Sequence, residues 1–251
     1  MTHYHPSTPW EKVKDLEHFS DLLSQNETLK NAYDDSRYQL AAGVLPKTGV
    51  LLCFEKSGYC LSYKHGHWYE NGRFEVPGMI SDFDITTPQA SDSDHEFYGR
   101  KYGQFTMISE NSLIYTGWGY SIVYEDDLSE DNFEEFGSWK KDTIKSMNFE
   151  RICHTTIVDK NTGTIYALGG TNREDLPILE VEQLSAGSET WEVSDFSLEN
   201  YVCGAGGIFF DNKLFLVGGH RDVHDSLNDV VYYDLDESIW KKLKSLTVVS
   251  I

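Results

Sequence analysis

The 251-residue sequence is poor in basic residues, with 21 lysines and arginines against 41 aspartates and glutamates. The formal net charge is therefore −20 at neutral pH. A chain of this charge repels the phosphates of nucleic acids and the headgroups of anionic lipids. The composition argues against nucleic-acid binding and membrane-surface binding, and it accommodates a basic protein or peptide partner more easily.

Long apolar runs are also missing. No stretch approaches the roughly 18–20 apolar residues that cross a bilayer as a helix, so we expect no membrane insertion. The first residues have no apolar core of the kind found in signal peptides. A hydrophobic content of 39%, with 14% aromatic residues, is still enough to build a core, which argues against global disorder.

Only four cysteines are present, too few for a disulfide-stapled scaffold. Cys53 and Cys60 flank a short turn, so we expect them on paired strands of one hairpin. They form either a disulfide or two reduced side chains that pack as small apolar residues. A disulfide would indicate an extracellular compartment, and otherwise the cytoplasm is favoured. Cys153 and Cys203, at equivalent places of a repeat, are expected to be separate buried thiols.

No catalytic motif stands out: neither G-x-S-x-G nor H-E-x-x-H is present. His220 and His224 have the H-x₃-H spacing of zinc ligands on a helix, with Asp222 and Asp225 beside them. The segment reads as an irregular loop without a third ligand, so we expect a solvated loop there. The sequence predicts no catalytic residue, no metal and no cofactor.

What the sequence does contain is a repeat of about fifty residues. Trp139, Trp191 and Trp240 are 52 and 49 residues apart, and Gly170 and Gly219 each precede the next tryptophan by 21 residues. The markers of the repeat are the tryptophans Trp10, Trp68, Trp139, Trp191 and Trp240 and the glycines Gly117, Gly119, Gly169, Gly170, Gly218 and Gly219. Each unit reads as four short strands separated by turns, for example 152–158, 164–168 and 179–184 with a fourth strand starting at Trp191.

A glycine pair after the second strand, aromatic and acidic residues before a turn and a spaced tryptophan resemble the kelch repeat, one blade of a β-propeller. The segments IYALGG and LFLVGG match well, and IYTGWG matches in part. The resemblance implies an all-β, kelch-type (galactose-oxidase-like) propeller of four-stranded antiparallel blades. Glycine permits positive φ where a strand turns against the next blade, and the indoles fill the wedge between blades. Both sets are therefore expected to be structural.

The predicted units run along the whole chain. They are a partial blade (1–16), a helical or loop insertion (17–36), a degenerate blade (37–78), a Ser/Asp-rich loop (79–99) and three blades (100–147, 151–200 and 201–247). About four full blades and one partial blade leave two alternatives. The chain is a fragment of a longer protein, which is favoured, or residues 4–16 close a ring against the C-terminal strands.

The resemblance also implies a non-catalytic, protein-binding function, because kelch propellers often use the loops after the second strand and between blades to hold a partner. Arg173 and Arg221 are the expected polar anchors, since arginine binds carboxylates bidentately. A run of acidic residues that starts at Glu125 offers a binding surface for a basic peptide. The expected partner-surface residues are Thr171, Asn172, Arg173, Glu174, Asp175, His220, Arg221, Asp222, His224, Asp225, Glu125, Asp126, Asp127, Glu130 and Asp131. The alternatives are an extracellular adhesive or matrix module and a kelch-propeller enzyme with a pocket at the channel mouth.

Overall fold

The computed structural model describes residues 40–45, 49–54, 59–64, 67–73, 103–117, 119–126, 137–140, 143–172, 174–221 and 225–247. It also describes residues 21, 24, 25, 27, 30 and 31, which have helical backbone conformation and lie within the predicted insertion 17–36. The predicted partial blade 1–16, with Trp10, and the predicted loop 79–99 lie outside the described residues.

The described strands form four sheets. Blade 1 consists of β1 (Leu40–Leu45), β2 (Gly49–Phe54), β3 (Tyr59–Lys64) and β4 (His67–Arg73). Blade 2 consists of β5 (Gln104–Ser109), β6 (Ser112–Gly117), β7 (Tyr120–Glu125) and β8 (Ser138–Lys140). Blade 3 consists of β9 (Thr155–Val158), β10 (Ile165–Leu168), β11 (Glu180–Leu184) and β12 (Glu192–Ser197). Blade 4 consists of β13 (Gly206–Phe210), β14 (Lys213–Val217), β15 (Val230–Asp234) and β16 (Ile239–Lys242).

Each sheet is an antiparallel meander in which consecutive strands are paired. The first strands of successive blades, β1, β5, β9 and β13, are neighbours in that order, so they lie on the inner side of the arrangement. The predicted fold class is confirmed: the sheets are the four-stranded blades of a β-propeller.

The core lies between blades because strands are buried on both faces. All six residues of β6 are buried. Successive side chains point to opposite faces of a strand, so Leu113 and Tyr115 pack toward blade 1, whereas Ile114 packs toward blade 3. Two blades must therefore be in place before either one can bury its apolar residues.

Cys53 and Cys60 are register partners in the β2–β3 pair, and a disulfide joins them across a Cα–Cα distance of 4.1 Å. Both are fully buried in the cluster between blades 1 and 2, where Leu51 and Tyr115 also lie. The sequence left a bridge and reduced packing open, and the structure has the bridge.

The marker tryptophans of the described blades lie in or next to the fourth strand. Trp68, Trp139 and Trp240 are within β4, β8 and β16, and Trp191 comes immediately before β12. In three blades the indole packs beside its register partner, a tyrosine of the third strand. The ring centroids are 5.1 Å apart in Tyr63–Trp68, 5.1 Å in Tyr124–Trp139 and 5.3 Å in Tyr233–Trp240.

Two indoles reach across to the preceding blade. The Nε1 atom of Trp191 donates a 2.8 Å hydrogen bond to the Ser121 hydroxyl in β7, and Nε1 of Trp240 donates a 2.7 Å bond to the Ser197 carbonyl in β12. Trp139 packs against the cluster that blades 1 and 2 share. The three tryptophans therefore occupy the wedges between blades, which is the position that the resemblance implies.

Candidate partner-binding site

The loop after the second strand of blade 3 is held to the segment that leads into that blade. Ile152 and Thr171 exchange two backbone hydrogen bonds, of 2.9 and 3.1 Å, and the Ile178 amide donates to the Gly170 carbonyl at 3.0 Å. Thr171 also forms a bridge with Pro177. Both ends of the loop are therefore fixed by backbone contacts.

Blade 4 repeats this arrangement. Cys203 and His220 exchange two backbone hydrogen bonds of 2.9 Å, and the Leu227 amide donates to the Gly219 carbonyl at 2.8 Å. His220 forms a further bridge with Ser226. The ends of the predicted partner loops are thus held by equivalent backbone contacts in blades 3 and 4.

The glycine pairs allow this close contact of loop and lead-in segment. Gly169 and Gly170 have φ values of 68° and 82°, in the left-handed region that favours glycine. A Cβ atom at Gly170 would overlap the Ile152 carbonyl oxygen, and one at Gly169 would overlap the carbonyl oxygen of Val202 in the next lead-in segment. The matching glycines with positive φ are Gly119, Gly218 and Gly219.

Asn172 organises the blade 3 loop from within. Its Oδ1 atom accepts hydrogen bonds of 2.9 Å from the amides of Glu174 and Leu176. Glu174 and Asp175 are exposed, and Leu176 is 54% exposed. Thr171, expected at the partner surface, is only 8% exposed. The loop therefore presents two carboxylates and an apolar side chain to solvent.

The blade 4 loop presents Arg221. Its amide donates a 3.0 Å hydrogen bond to the Asp225 carbonyl, and its guanidinium lies 3.8 Å from the Asp225 carboxylate. The two side chains are 46% and 51% exposed, so solvent screens this ion pair. His220, next to Arg221, is partly exposed.

A cleft of about 180 Å³ lies beside this loop at the seam between blades 3 and 4. Its wall includes Tyr201, Arg221 and Trp240, together with an ion pair of 2.7 Å between Lys242 and Asp229. Hydrogen bonding to Lys242 holds the pKa of Asp229 below its usual value. The lining of the cleft thus combines aromatic and apolar side chains with charged groups.

Buried polar groups fix the lead-in segment of blade 3. Arg151 Nη2 donates a 2.8 Å hydrogen bond to Glu182 Oε2, and both side chains are fully buried. Burial lowers the pKa of Arg151, and the charge of Glu182 opposes that shift. His154 contacts Thr116 of blade 2 through a 2.9 Å hydrogen bond at Nε2. Burial, with a smaller effect of the Arg151 charge, lowers the pKa of His154 to about 3, so the ring is neutral.

The acidic run of blade 2 is a different surface. Glu125 is exposed and lies 3.5 Å from Lys140. Asp126, expected at the partner surface, is 3% exposed and accepts a 3.4 Å hydrogen bond from the Tyr124 hydroxyl. Six of the expected partner-surface residues lie outside the described residues: Asp127, Glu130, Asp131, Arg173, Asp222 and His224.

Several cleft residues were not expected from the sequence. Tyr201 and Asp229 lie at no marked position of the repeat. The sequence did mark Lys241 and Lys242, because a pair of lysines directly follows both Trp139 and Trp240. Within the part of the chain that the structure describes, no three His, Cys, Asp or Glu side chains are grouped to hold a metal ion. No helix among the same residues is long and apolar enough to cross a bilayer.

The Kelch motif family matches residues 202–247, the unit that contains blade 4. The solved structure of YjhT is similar over 83% of this chain and 66% of that chain, with a TM-score of 0.56 and 14% sequence identity. The chain therefore has a β-propeller fold, and its fourth described blade matches the Kelch motif. No curated protein matches the sequence. At 14% identity the likeness to YjhT shows the fold alone, and this chain spans about two thirds of that chain. Kelch propellers generally serve as protein-interaction modules.

Proposed function

We propose that this kelch propeller is a non-catalytic protein-binding module, and that the seam between blades 3 and 4 holds a segment of the partner. One observation carries the proposal. The two loops that the repeat singles out, 171–175 and 220–225, are held by equivalent backbone bridges at Thr171 and at His220, and Arg221 of the second loop lines an open cleft.

Fixed loops favour binding because little conformational entropy is lost when a partner docks on them. The bridges of Thr171 and His220 hold the bases of the two loops, and Asn172 holds the interior of the first. The described parts of the two loops are therefore held in place before the partner arrives.

Arg221 is the cation of the seam best suited to bind a partner carboxylate. Lys241 lies 2.6 Å from Glu237 and Lys242 lies 2.7 Å from Asp229, so both lysines are engaged within blade 4. The Arg221–Asp225 distance of 3.8 Å is longer than a strong charge-assisted hydrogen bond. A partner carboxylate can therefore displace Asp225 and bind the guanidinium in the bidentate geometry that arginine favours.

The apolar groups and the total charge define the rest of the partner segment. Leu176 is 54% exposed beside the first loop, and Trp240 lines the cleft, so an apolar side chain can pack near the carboxylate. The net charge of −20 disfavours a strongly acidic segment. We expect a carboxylate and a neighbouring apolar residue, flanked by basic or neutral residues.

The proposal is tested by selecting peptides from a random display library on the full chain and measuring their affinity by calorimetry. Selected peptides should share an acidic residue next to an apolar one, and Arg221→Glu should weaken their binding at least about tenfold, since reversing the charge of an anchor costs more than about 1.4 kcal/mol. Lys160→Glu is the matched control: it makes the same change of charge at an exposed residue of the β9–β10 turn.

Equal losses in the two variants would mean that only the total charge matters, and the seam would not be the site. Selected peptides that lack an acidic residue would contradict the role of Arg221. Turnover of a compound by the purified chain would contradict the non-catalytic part of the proposal.

A further inference from the structure

Two thiols from successive blades meet at the seam between blades 3 and 4. Cys153 lies in the segment that leads into blade 3, and Cys203 lies at the equivalent place before blade 4. The sequence predicted separate buried thiols, yet their side chains are hydrogen-bonded to each other. Cys203 is 4% exposed, whereas Cys153 is partly exposed.

The backbone places the two residues on adjoining segments. The Gly204 amide donates a 2.7 Å hydrogen bond to the Cys153 carbonyl, so the two lead-in segments are in direct contact one residue from Cys203. A disulfide spans Cα separations of about 4.4–6.8 Å. The backbone contact and the side-chain contact together make these two thiols the pair to test for a disulfide.

The environment of Cys203 favours the reactive form of its thiol. The hydrogen bond from Cys153 lowers the pKa of Cys203, burial opposes that effect, and a second hydrogen bond from Tyr201 lowers the pKa further. The net direction is downward. The thiolate is the nucleophilic form of cysteine, and Cys153 is the more exposed of the two thiols.

We propose that Cys153 and Cys203 are a site of reversible oxidation, at which a small hydroperoxide converts the two thiols into a disulfide between the lead-in segments of blades 3 and 4. This site does not depend on the proposed partner surface. It requires only the contact between the two side chains and access for a small oxidant.

The reaction balances as a two-electron oxidation of two thiols by one hydroperoxide. The Cys203 thiolate attacks a peroxide oxygen, the O–O bond breaks, and Cys203 becomes a sulfenic acid while the leaving oxygen takes up a proton. The Cys153 sulfur then attacks the Cys203 sulfur, loses its proton and displaces the hydroxyl as water. With hydrogen peroxide the products are one disulfide and two molecules of water.

The test treats the full chain with hydrogen peroxide, alkylates the remaining thiols and maps the peptides by mass spectrometry. We expect a peptide pair linked through Cys153 and Cys203 in monomeric protein, and its loss after treatment with a dithiol reductant. In the Cys153→Ser variant the sulfenic acid at Cys203 should persist and be trapped by a 1,3-dione. The Cys53–Cys60 disulfide provides an internal reference for complete digestion.

The oxidised chain should also unfold at a higher temperature than the reduced chain, because the new bond closes a loop of about fifty residues and limits the unfolded state. Two alkylated thiols after peroxide treatment of the wild-type chain would overturn the proposal. So would a disulfide that forms only between molecules. Both of these outcomes are measured on the wild-type protein, so they do not depend on whether a variant folds.

Discussion

The buried Arg151–Glu182 ion pair of blade 3 allows a direct test of what stabilises this propeller. Arg151 donates to the Glu182 carboxylate at 2.8 Å and to the Gly169 carbonyl at 3.0 Å, while Glu182 also accepts from Asn148. Both charged side chains are fully buried. The pair therefore connects the segment between blades 2 and 3 to the third strand of blade 3 and to its glycine pair.

The perturbation is Glu182→Gln, which keeps the size of the side chain and removes its charge. The Arg151 cation then remains buried without its counterion, and breaking a buried pair in this way costs about 3–5 kcal/mol. For a chain of this length, 1 kcal/mol shifts the melting temperature by about 2–4 °C, so we expect a decrease on the order of 10 °C. The assay is thermal and urea unfolding of the full chain, followed by circular dichroism.

Two controls separate burial from simple charge pairing. Asp229→Asn breaks the 2.7 Å pair with Lys242, whose side chain is 56% exposed, and should cost less than about 1 kcal/mol. The double variant Arg151→Met, Glu182→Leu removes both charges and should lose less than Glu182→Gln alone. If Glu182→Gln and Asp229→Asn lost similar stability, burial would not be the deciding factor and the reasoning would be refuted.

Three further predictions concern the seams between blades, and urea unfolding measures each of them. Gly170→Ala should cost at least about 3 kcal/mol because its Cβ overlaps a backbone oxygen, whereas Gly187→Ala, with φ 76° and open space around it, should cost about 1–2 kcal/mol. Equal losses of stability in the two variants would show that the positive φ, and not the overlap with the backbone oxygen, sets the cost. Trp191→Phe should cost about 2–3 kcal/mol, because it leaves the Ser121 hydroxyl without its indole donor and removes buried volume; a loss below 1 kcal/mol would contradict the wedge role. Because the folded-state pKa of His154 lies near 3, below the usual 6.5, the unfolded state binds the extra proton between these values. Stability should therefore fall on acidification from pH 6.5 toward pH 3, by up to about 1.4 kcal/mol per pH unit, and His154→Gln should remove this part of the slope. If the free energy of unfolding of the variant had the same pH dependence as that of the wild type, other groups would be responsible for the dependence.

The fold was predictable because a blade needs the same few residues at the same offsets. A glycine pair is needed where the second strand ends against the lead-in segment, and an indole is needed at each wedge. These residues are rare enough for their spacing to be visible in a single sequence. In blade 3 the predicted second strand, 164–168, is within one residue of β10 (Ile165–Leu168).

The contacts that define the site were not predictable, because they join residues whose positions in the repeat carry no common signal. Arg151 and Glu182 are 31 residues apart, and only the packing of the lead-in segment over β11 brings them together. Asp126 lies in an acidic run that is typical of a solvated loop, yet its backbone pairs with Asn111 and its side chain is buried. The thiol contact of blades 3 and 4 likewise depends on the angle between two blades, which spacing does not reveal.

The seam tryptophans show that a repeated residue can fill equivalent space through different polar contacts. Trp191 is 2% exposed and bonds a serine side chain, whereas the partly exposed Trp240 bonds a backbone carbonyl. A substitution at Ser121 can therefore weaken the seam between blades 2 and 3. No side-chain substitution at Ser197 removes the acceptor of Trp240, so the seam between blades 3 and 4 should tolerate Ser197→Ala. Because neighbouring blades bury each other, loss of the Ser121 hydroxyl should weaken the seam between blades 2 and 3 more than loss of the Ser197 hydroxyl weakens the seam between blades 3 and 4.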